Sequence, residues 1–170
     1  MTEPRDQQVL LDLIDKNKGI IFKVCNSYCK NKNDREDLAQ EIIYQLWKSA
    51  HRFNDDYKFS TWMYRIALNV AISYYRKDQR QETVIAFTED HHQIEDRSEN
   101  PALIEDQISL LQKCINELKD LDKALMLLYL ESKPYGEIAE ILGISETNVA
   151  TRISRVKEKL KQNFSTINKT

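Results

Sequence analysis

Glycine and proline are scarce, with three of each in 170 residues. A fold of many short strands needs the tight turns these residues supply. Their scarcity argues against an all-β protein and for long helices. Long apolar runs are missing too: none approaches the roughly 18 residues of a membrane span. The opening residues, Met1-Thr2-Glu3-Pro4-Arg5-Asp6, lack the apolar stretch of a secretory leader. A cytoplasmic location with no membrane insertion is therefore expected. Cysteine is sparse and odd in number: Cys25, Cys29 and Cys114. That count gives no disulfide framework. Cys25 and Cys29 sit four apart on one face of a predicted helix, but no nearby His or Cys pair completes a metal site. Two small apolar residues packed in a helix is the better reading. His91-His92 lies among carboxylates and receives no role. There is no Gly-rich phosphate loop, metal-ligand cluster or nucleophile constellation, so no enzyme activity, metal or cofactor is expected.

What the chain does have is charge, unevenly placed. Residues 1–80 carry a net +3, residues 81–108 a net −7 and residues 109–170 a net +2. The near-neutral pI of about 6.0 thus hides two mildly basic ends around an acidic middle. Overall charge is a poor guide to nucleic-acid binding in such a chain.

Hydrophobic periodicity organises the ends into helices. Val9, Leu10, Leu13 and Ile14 form one stripe, and Ile21, Val24, Cys25 and Tyr28 another, broken near Gly19. Asp34 is suited to cap a third helix running to about Ala50, with Leu38, Ile42 and Leu46 on its apolar side. After a polar loop, His51 to Phe59, Ser60 is expected to cap a long helix to about Arg80. Trp62, Ile66, Val70 and Tyr74 line one of its faces, and Tyr64 lies off that stripe. Residues 81–99 show no sustained period and read as a flexible acidic linker. Asn100-Pro101 then suits a helix start. It opens the first of four helices in the second half, the last from a Ser145 cap to about Gln162. The expected fold is all-α: two small helical domains, 7–80 and 100–163, joined by the linker 81–99, the second ending in a helix-turn-helix.

That motif spans Glu137 to Arg152. Ala139 lets two helices approach closely, Gly143 permits the positive φ of a tight turn, and Ser145 caps the second helix. Ile138, Ile144 and Val149 fill the wedge between them. Along the second helix Val149, Ile153, Val156 and Leu160 face inward. Thr147, Asn148, Thr151, Arg152, Arg155 and Lys159 lie on the other side. Small polar and basic side chains on an exposed face suit base edges and phosphates of the major groove.

The first domain narrows this further. Asp34-Arg-Glu-Asp-Leu-Ala-Gln-Glu-Ile-Ile-Tyr-Gln-Leu-Trp-Lys resembles the polymerase-binding helix of bacterial sigma factors. Phe59-Ser-Thr-Trp-Met-Tyr-Arg-Ile-Ala-Leu-Asn-Val-Ala-Ile-Ser-Tyr-Tyr-Arg resembles their promoter-melting helix. Their order, with the acidic linker and the helix-turn-helix, is similar to the extracytoplasmic-function (ECF) subgroup over about residues 7–162.

The resemblance implies a non-enzymatic initiation factor. It would bind core RNA polymerase through the β′ and β subunits, recognise and melt promoter DNA, and be held by an anti-sigma factor. It assigns Asp37, Leu38, Gln40 and Glu41 to polymerase docking, with Trp47 as core or interface. It assigns the loop residues Asn54, Asp55, Asp56 and Tyr57 to capture of a flipped −10 base. Arg65, Asn69, Arg76 and Lys77 are then candidates for DNA contacts around the melting point, and the outer face of the last helix for the −35 element. The chain departs from many relatives at Asn148-Val149-Ala150, where Thr-Val-Lys is common, and so lacks one phosphate-directed lysine. The competing expectation is a stand-alone helix-turn-helix regulator with an N-terminal dimerisation or sensor domain.

Overall fold

The computed structural model describes residues 4–53, 56, 58–85 and 103–168. Among these, the secondary structure is helical: α1 (Pro4–Lys16), α2 (Lys18–Tyr28), α3 (Lys32–Lys48), α4 (Phe59–Ile85), α5 (Leu103–Asn116), α6 (Asp120–Leu130), α7 (Tyr135–Leu142) and α8 (Glu146–Asn168). A single 3-10 turn, Ala50–Arg52, follows α3.

Local chemistry places the helix ends. The break between α1 and α2 falls at Asn17 rather than Gly19. The Asn17 side-chain amide donates to the Leu13 carbonyl at 2.8 Å, and its backbone N–H bonds to Leu13 and Ile14 carbonyls. A short amide side chain competes with the helix ladder in this way and ends it. α3 is capped by Asn31, not Asp34. The Asn31 side-chain oxygen accepts from the Asp34 N–H at 2.7 Å, and the Asn31 amide donates to the Asp34 carboxylate at 2.6 Å. Asp34 is thus the third helical residue, where its charge favours the helix N-terminus. α4 begins at Phe59, so Ser60 lies inside it, and it continues to Ile85. Residues 81–85 of the expected linker therefore extend α4. The rest of that segment, with His91-His92 and the Asn100-Pro101 start, lies outside the described residues.

The turns of the second half are tightly specified. α6 ends with Ser132 at φ 59°, and Lys133 N–H bonds back to Leu128 O at 3.2 Å. α7 ends with Gly143 at φ 69°, and Ile144 N–H bonds to Ala139 O at 3.2 Å. Both use a left-handed residue to return the chain over the last turn of helix. At Gly143 glycine relieves the conformation that Ser132 must bear. Ser145 caps α8, its hydroxyl accepting from Asn148 N–H at 3.1 Å.

Leu38, Ile42 and Leu46 of α3 are fully buried with Val24 of α2 and Met63, Ala67 and Leu68 of α4. Each such large side chain contributes roughly 1.5–3 kcal/mol on burial. A smaller cluster, Cys114, Ile115, Leu118, Met126, Val156 and Leu160, belongs to the second half alone. The larger core does not stop at the boundary between halves. It runs on through Ala124, Leu125, Leu128, Ile138, Ile141, Val149 and Ile153.

This continuity explains a difference on α4. Trp62, Ile66, Val70 and Tyr74 are only half-buried, while Tyr64, read as lying off the apolar face, is buried together with Leu68, Ala71 and Ile72. α4 packs on α2 and α3 with one side and on α6 and α7 with another. A helix covered from two directions has no single apolar stripe to read.

Candidate nucleic-acid and polymerase interface

α8 is divided as its sequence implies. Val149, Ile153, Val156 and Leu160 are buried against α5, α6 and α7. Thr147, Thr151, Arg155 and Lys159 are exposed on the opposite side. Asn148 and Arg152 are half-buried and bonded to each other, the Arg152 Nε donating to Asn148 Oδ1 at 3.0 Å. Arg152 also lies 3.9 Å from the Asp122 carboxylate of α6. Arg155 and Lys159 thus offer charge outward, while Arg152 is partly committed within the fold. The exposed Lys157 stands 4.1 Å over the Tyr129 ring, whose hydroxyl raises its pKa.

On α4, Arg65, Asn69, Arg76 and Lys77 are all exposed. The spacing of Arg65, Asn69 and Arg76 places them along one side of the helix. The guanidinium of Arg76 is bonded through Nε to the Asp120 carboxylate at the start of α6. Burial alone would raise the Asp120 pKa. The bond and charge of Arg76, with the Leu121 N–H on its other oxygen, outweigh that and hold it below the usual range.

At the head of α3, Asp37, Gln40 and Glu41 are exposed, and Glu41 accepts from the Gln45 amide at 2.9 Å. Leu38 is different: it is 0% exposed and sits in the core. Trp47 is 54% exposed and Ile43 and Tyr44 are exposed beside it, so the end of α3 presents an aromatic and aliphatic surface. Of the loop residues, Asp56 is exposed, and Asn54, Asp55 and Tyr57 lie outside the described residues. Phe53, which precedes this loop in sequence, packs ring on ring with Phe59 and Trp62, which follow it, with centres 5.2 to 5.5 Å apart.

The set that reading along the chain missed joins the two halves. Tyr28 of α2 donates its hydroxyl to the Asp120 carbonyl at 2.7 Å. Lys133 stands 5.5 Å over the Tyr64 ring, and Lys23 pairs with Glu131 at 2.7 Å. Lys123 of α6, buried at 3% exposure, points between the rings of Tyr28 and Tyr75. Its one sequence signal was a lysine inside the otherwise apolar run of α6.

Comparison with known proteins bears directly on these surfaces. Residues 13–81 match the family described as Sigma-70 region 2, and residues 108–160 match Sigma-70, region 4. The ECF RNA polymerase sigma factor SigW of Bacillus subtilis (strain 168) is 32% identical over 167 residues, covering 92% of this chain and 89% of that protein. The chain belongs to the ECF sigma factors. The ECF RNA polymerase sigma-E factor of Haemophilus influenzae is 28% identical, covering 93% and 95% of the two chains. Two solved structures share the fold. CnrH in complex with the cytosolic domain of CnrY superposes with a TM-score of 0.66 at 19% identity, over 94% of this chain and 90% of that one. The sigma factor RpoE bound to the anti-sigma factor NepR from Bartonella quintana gives 0.63 at 18%, over 94% and 96%.

As an ECF sigma factor the protein directs RNA polymerase to promoters in transcription initiation, and the family is not one of known enzymes. The match of the first half to region 2 displaces the stand-alone regulator reading. Among the described residues no helix is long and apolar enough to cross a membrane. Nor does any group of three or more His, Cys, Asp or Glu there suit a metal ion.

Proposed function

We propose that this sigma factor divides its work between its two halves, 7–80 and 100–163, with residues 81–99 as the connection. Asp37, Gln40 and Glu41 dock the first half on the β′ subunit of core polymerase, and Trp47 extends that contact. Leu38 acts from beneath by fixing the helix. The loop Asn54 to Tyr57 takes a base flipped from the −10 element, and Arg65, Asn69, Arg76 and Lys77 hold the flanking DNA. Thr147, Asn148, Thr151, Arg152, Arg155 and Lys159 meet the −35 element, and the second half also contacts the β subunit. The factor works in the cytoplasm, beside polymerase and chromosome, and requires no cofactor. An anti-sigma factor is its further partner, because a solved structure of the same fold was captured with one.

The observation that carries this reading is the division of α8, buried along Val149, Ile153, Val156 and Leu160 and exposed along Thr147, Thr151, Arg155 and Lys159. Reconstituted transcription with core polymerase over a promoter library tests it. Initiation from a defined sequence class, dependent on this protein, is the expected result. Binding to DNA without any effect on initiation by core polymerase would refute it.

A further inference from the structure

Asn148 is the third residue of α8 and is held at both ends. Its backbone N–H donates to the Ser145 hydroxyl at 3.1 Å. Its side-chain Oδ1 accepts from Arg152 Nε, one turn on, at 3.0 Å. Arg152 is held in turn from another helix: its Nη1 lies 3.9 Å from the Asp122 carboxylate of α6. The two side chains of that pair are 40% and 30% exposed. An ion pair so open to water adds little to stability. Its effect is on orientation.

The direction of the Asn148 amide follows from elementary chemistry. A guanidinium carries donors only, so the group facing it is the carbonyl oxygen and not the NH2. A positive charge at Oδ1 also polarises the amide. The NH2 becomes a stronger donor, and the oxygen a poorer acceptor for any further partner. The first residues of the second helix are the ones a helix-turn-helix brings to base edges. Asparagine reads adenine with both of its ends, Oδ1 to N6–H and Nδ2–H to N7. An oxygen given to Arg152 disfavours that mode. Guanine instead presents two adjacent acceptors, N7 and O6, to the major groove. An amide fixed as a donor suits it. Asp122 competes with DNA phosphates for the same guanidinium and keeps it beside Asn148.

We propose that Asp122, acting through Arg152, sets Asn148 to read guanine rather than adenine at one position of the −35 element. The inference rests on the reading of α8 given above. Asn148 touches the base, and Asp122 and Arg152 are positioning residues. Thr151, exposed one turn along the same side, is set in the opposite sense. Its hydroxyl donates to the Thr147 carbonyl at 3.0 Å, which leaves its oxygen as an acceptor and its methyl for apolar contact. The base pair that Thr151 meets has no link to Asp122 and serves as an internal control.

The test is reconstituted transcription with core polymerase over a library randomised at every −35 position. It compares the full-length protein with Asn148→Asp, Asp122→Ala and Asp122→Glu. The wild type should favour guanine over adenine at one position by roughly tenfold. Asn148→Asp keeps the shape and the bond to Arg152 but replaces the NH2 by an acceptor. At that position preference should pass from guanine to cytosine, whose N4 amine donates. Asp122→Ala lets the guanidinium and the amide turn, so the guanine-to-adenine ratio there should fall toward parity, with ratios at other positions kept. Asp122→Glu retains the carboxylate and should retain the ratio. An Asp122 that merely supports the fold would instead lower initiation from all sequences alike. If circular dichroism shows Asp122→Ala to be unfolded, Arg152→Met, which keeps the stem and removes the donor, decides by the same measure. An unchanged ratio in that deciding variant, at the position that Asn148→Asp alters, would overturn the relay and leave the sigma-factor reading standing. So would a wild-type preference for adenine there, or no altered position in Asn148→Asp. Failure of the wild type to initiate with core polymerase would overturn that reading, and this inference with it.

Discussion

The Thr61 hydroxyl, on the first turn of α4, donates to the Glu137 carboxylate of α7 at 3.0 Å. Lys133 lies 3.4 Å from the same carboxylate, so one acid receives a neutral and a charged donor in a half-buried place. A helix of the first half is thereby tied to the first helix of the helix-turn-helix. Thr61→Val keeps the shape and removes the donor. Loss of a hydrogen bond to a charged group should lower stability by about 1–2 kcal/mol, read as a shift in the urea midpoint. No shift would mean that water replaces the hydroxyl without penalty.

Docking on polymerase separates two kinds of residue on α3. Asp37→Arg and Gln40→Ala, at exposed positions, should weaken core binding with helicity and stability kept. Leu38→Ala should instead destabilise the protein by about 2–5 kcal/mol, since it empties a core site. Titration of labelled core polymerase, beside denaturant unfolding, distinguishes them. Equal affinity for both surface variants and wild type would remove these residues from the contact.

The two arginines of α8 should not behave alike. Arg155 is exposed, whereas Arg152 is bonded to Asn148 and lies near Asp122. Arg155→Ala should weaken binding to a −35 duplex by about 1–3 kcal/mol if it reads a base, and by less, with a shallower salt dependence, if it meets phosphate. Arg152→Ala should cost less binding and more stability. Reversal of that order, measured by fluorescence anisotropy over a salt series, would reassign the DNA-facing side.

A base-capturing loop acts after closed-complex formation. Joint substitution of Asn54 and Asp55 by Ala should therefore lower open-complex formation on duplex promoter and leave initial binding nearly intact. A template melted beforehand over the −10 element should recover part of the activity. Permanganate reactivity of unpaired thymines reports the bubble directly, and a wild-type footprint from the double variant would make the loop a plain connector.

Much of this was legible in the sequence where one helix has one environment. α8 buries one side and exposes the other, so its period of apolar residues located both the core positions and the polar face. Gly143 and Ser145 behaved as their chemistry requires. The reading weakened where two causes overlapped. Asp34 has the character of a cap, but Asn31 three residues earlier takes that place and leaves Asp34 inside the helix. Tyr64 looked peripheral because its partners, Lys133 and Glu131, come from the other half of the chain. Periodicity records that a face is apolar. It does not record that a second set of helices, about 60 residues on in sequence, will cover another face. Leu38 shows the reverse case: a motif position inherited from a family resemblance proved to be a core residue.

The core that runs through both halves has a thermodynamic consequence. Neither half alone possesses all the apolar neighbours it has in the whole chain. The free protein should therefore melt as one cooperative unit, with a single calorimetric transition whose van 't Hoff and calorimetric enthalpies agree. Its lifetime before proteolysis is then set by one global opening. A weakened core side chain in α4, such as Leu68→Ala, shortens the survival of the second half as much as that of the first, although it lies in the first half alone.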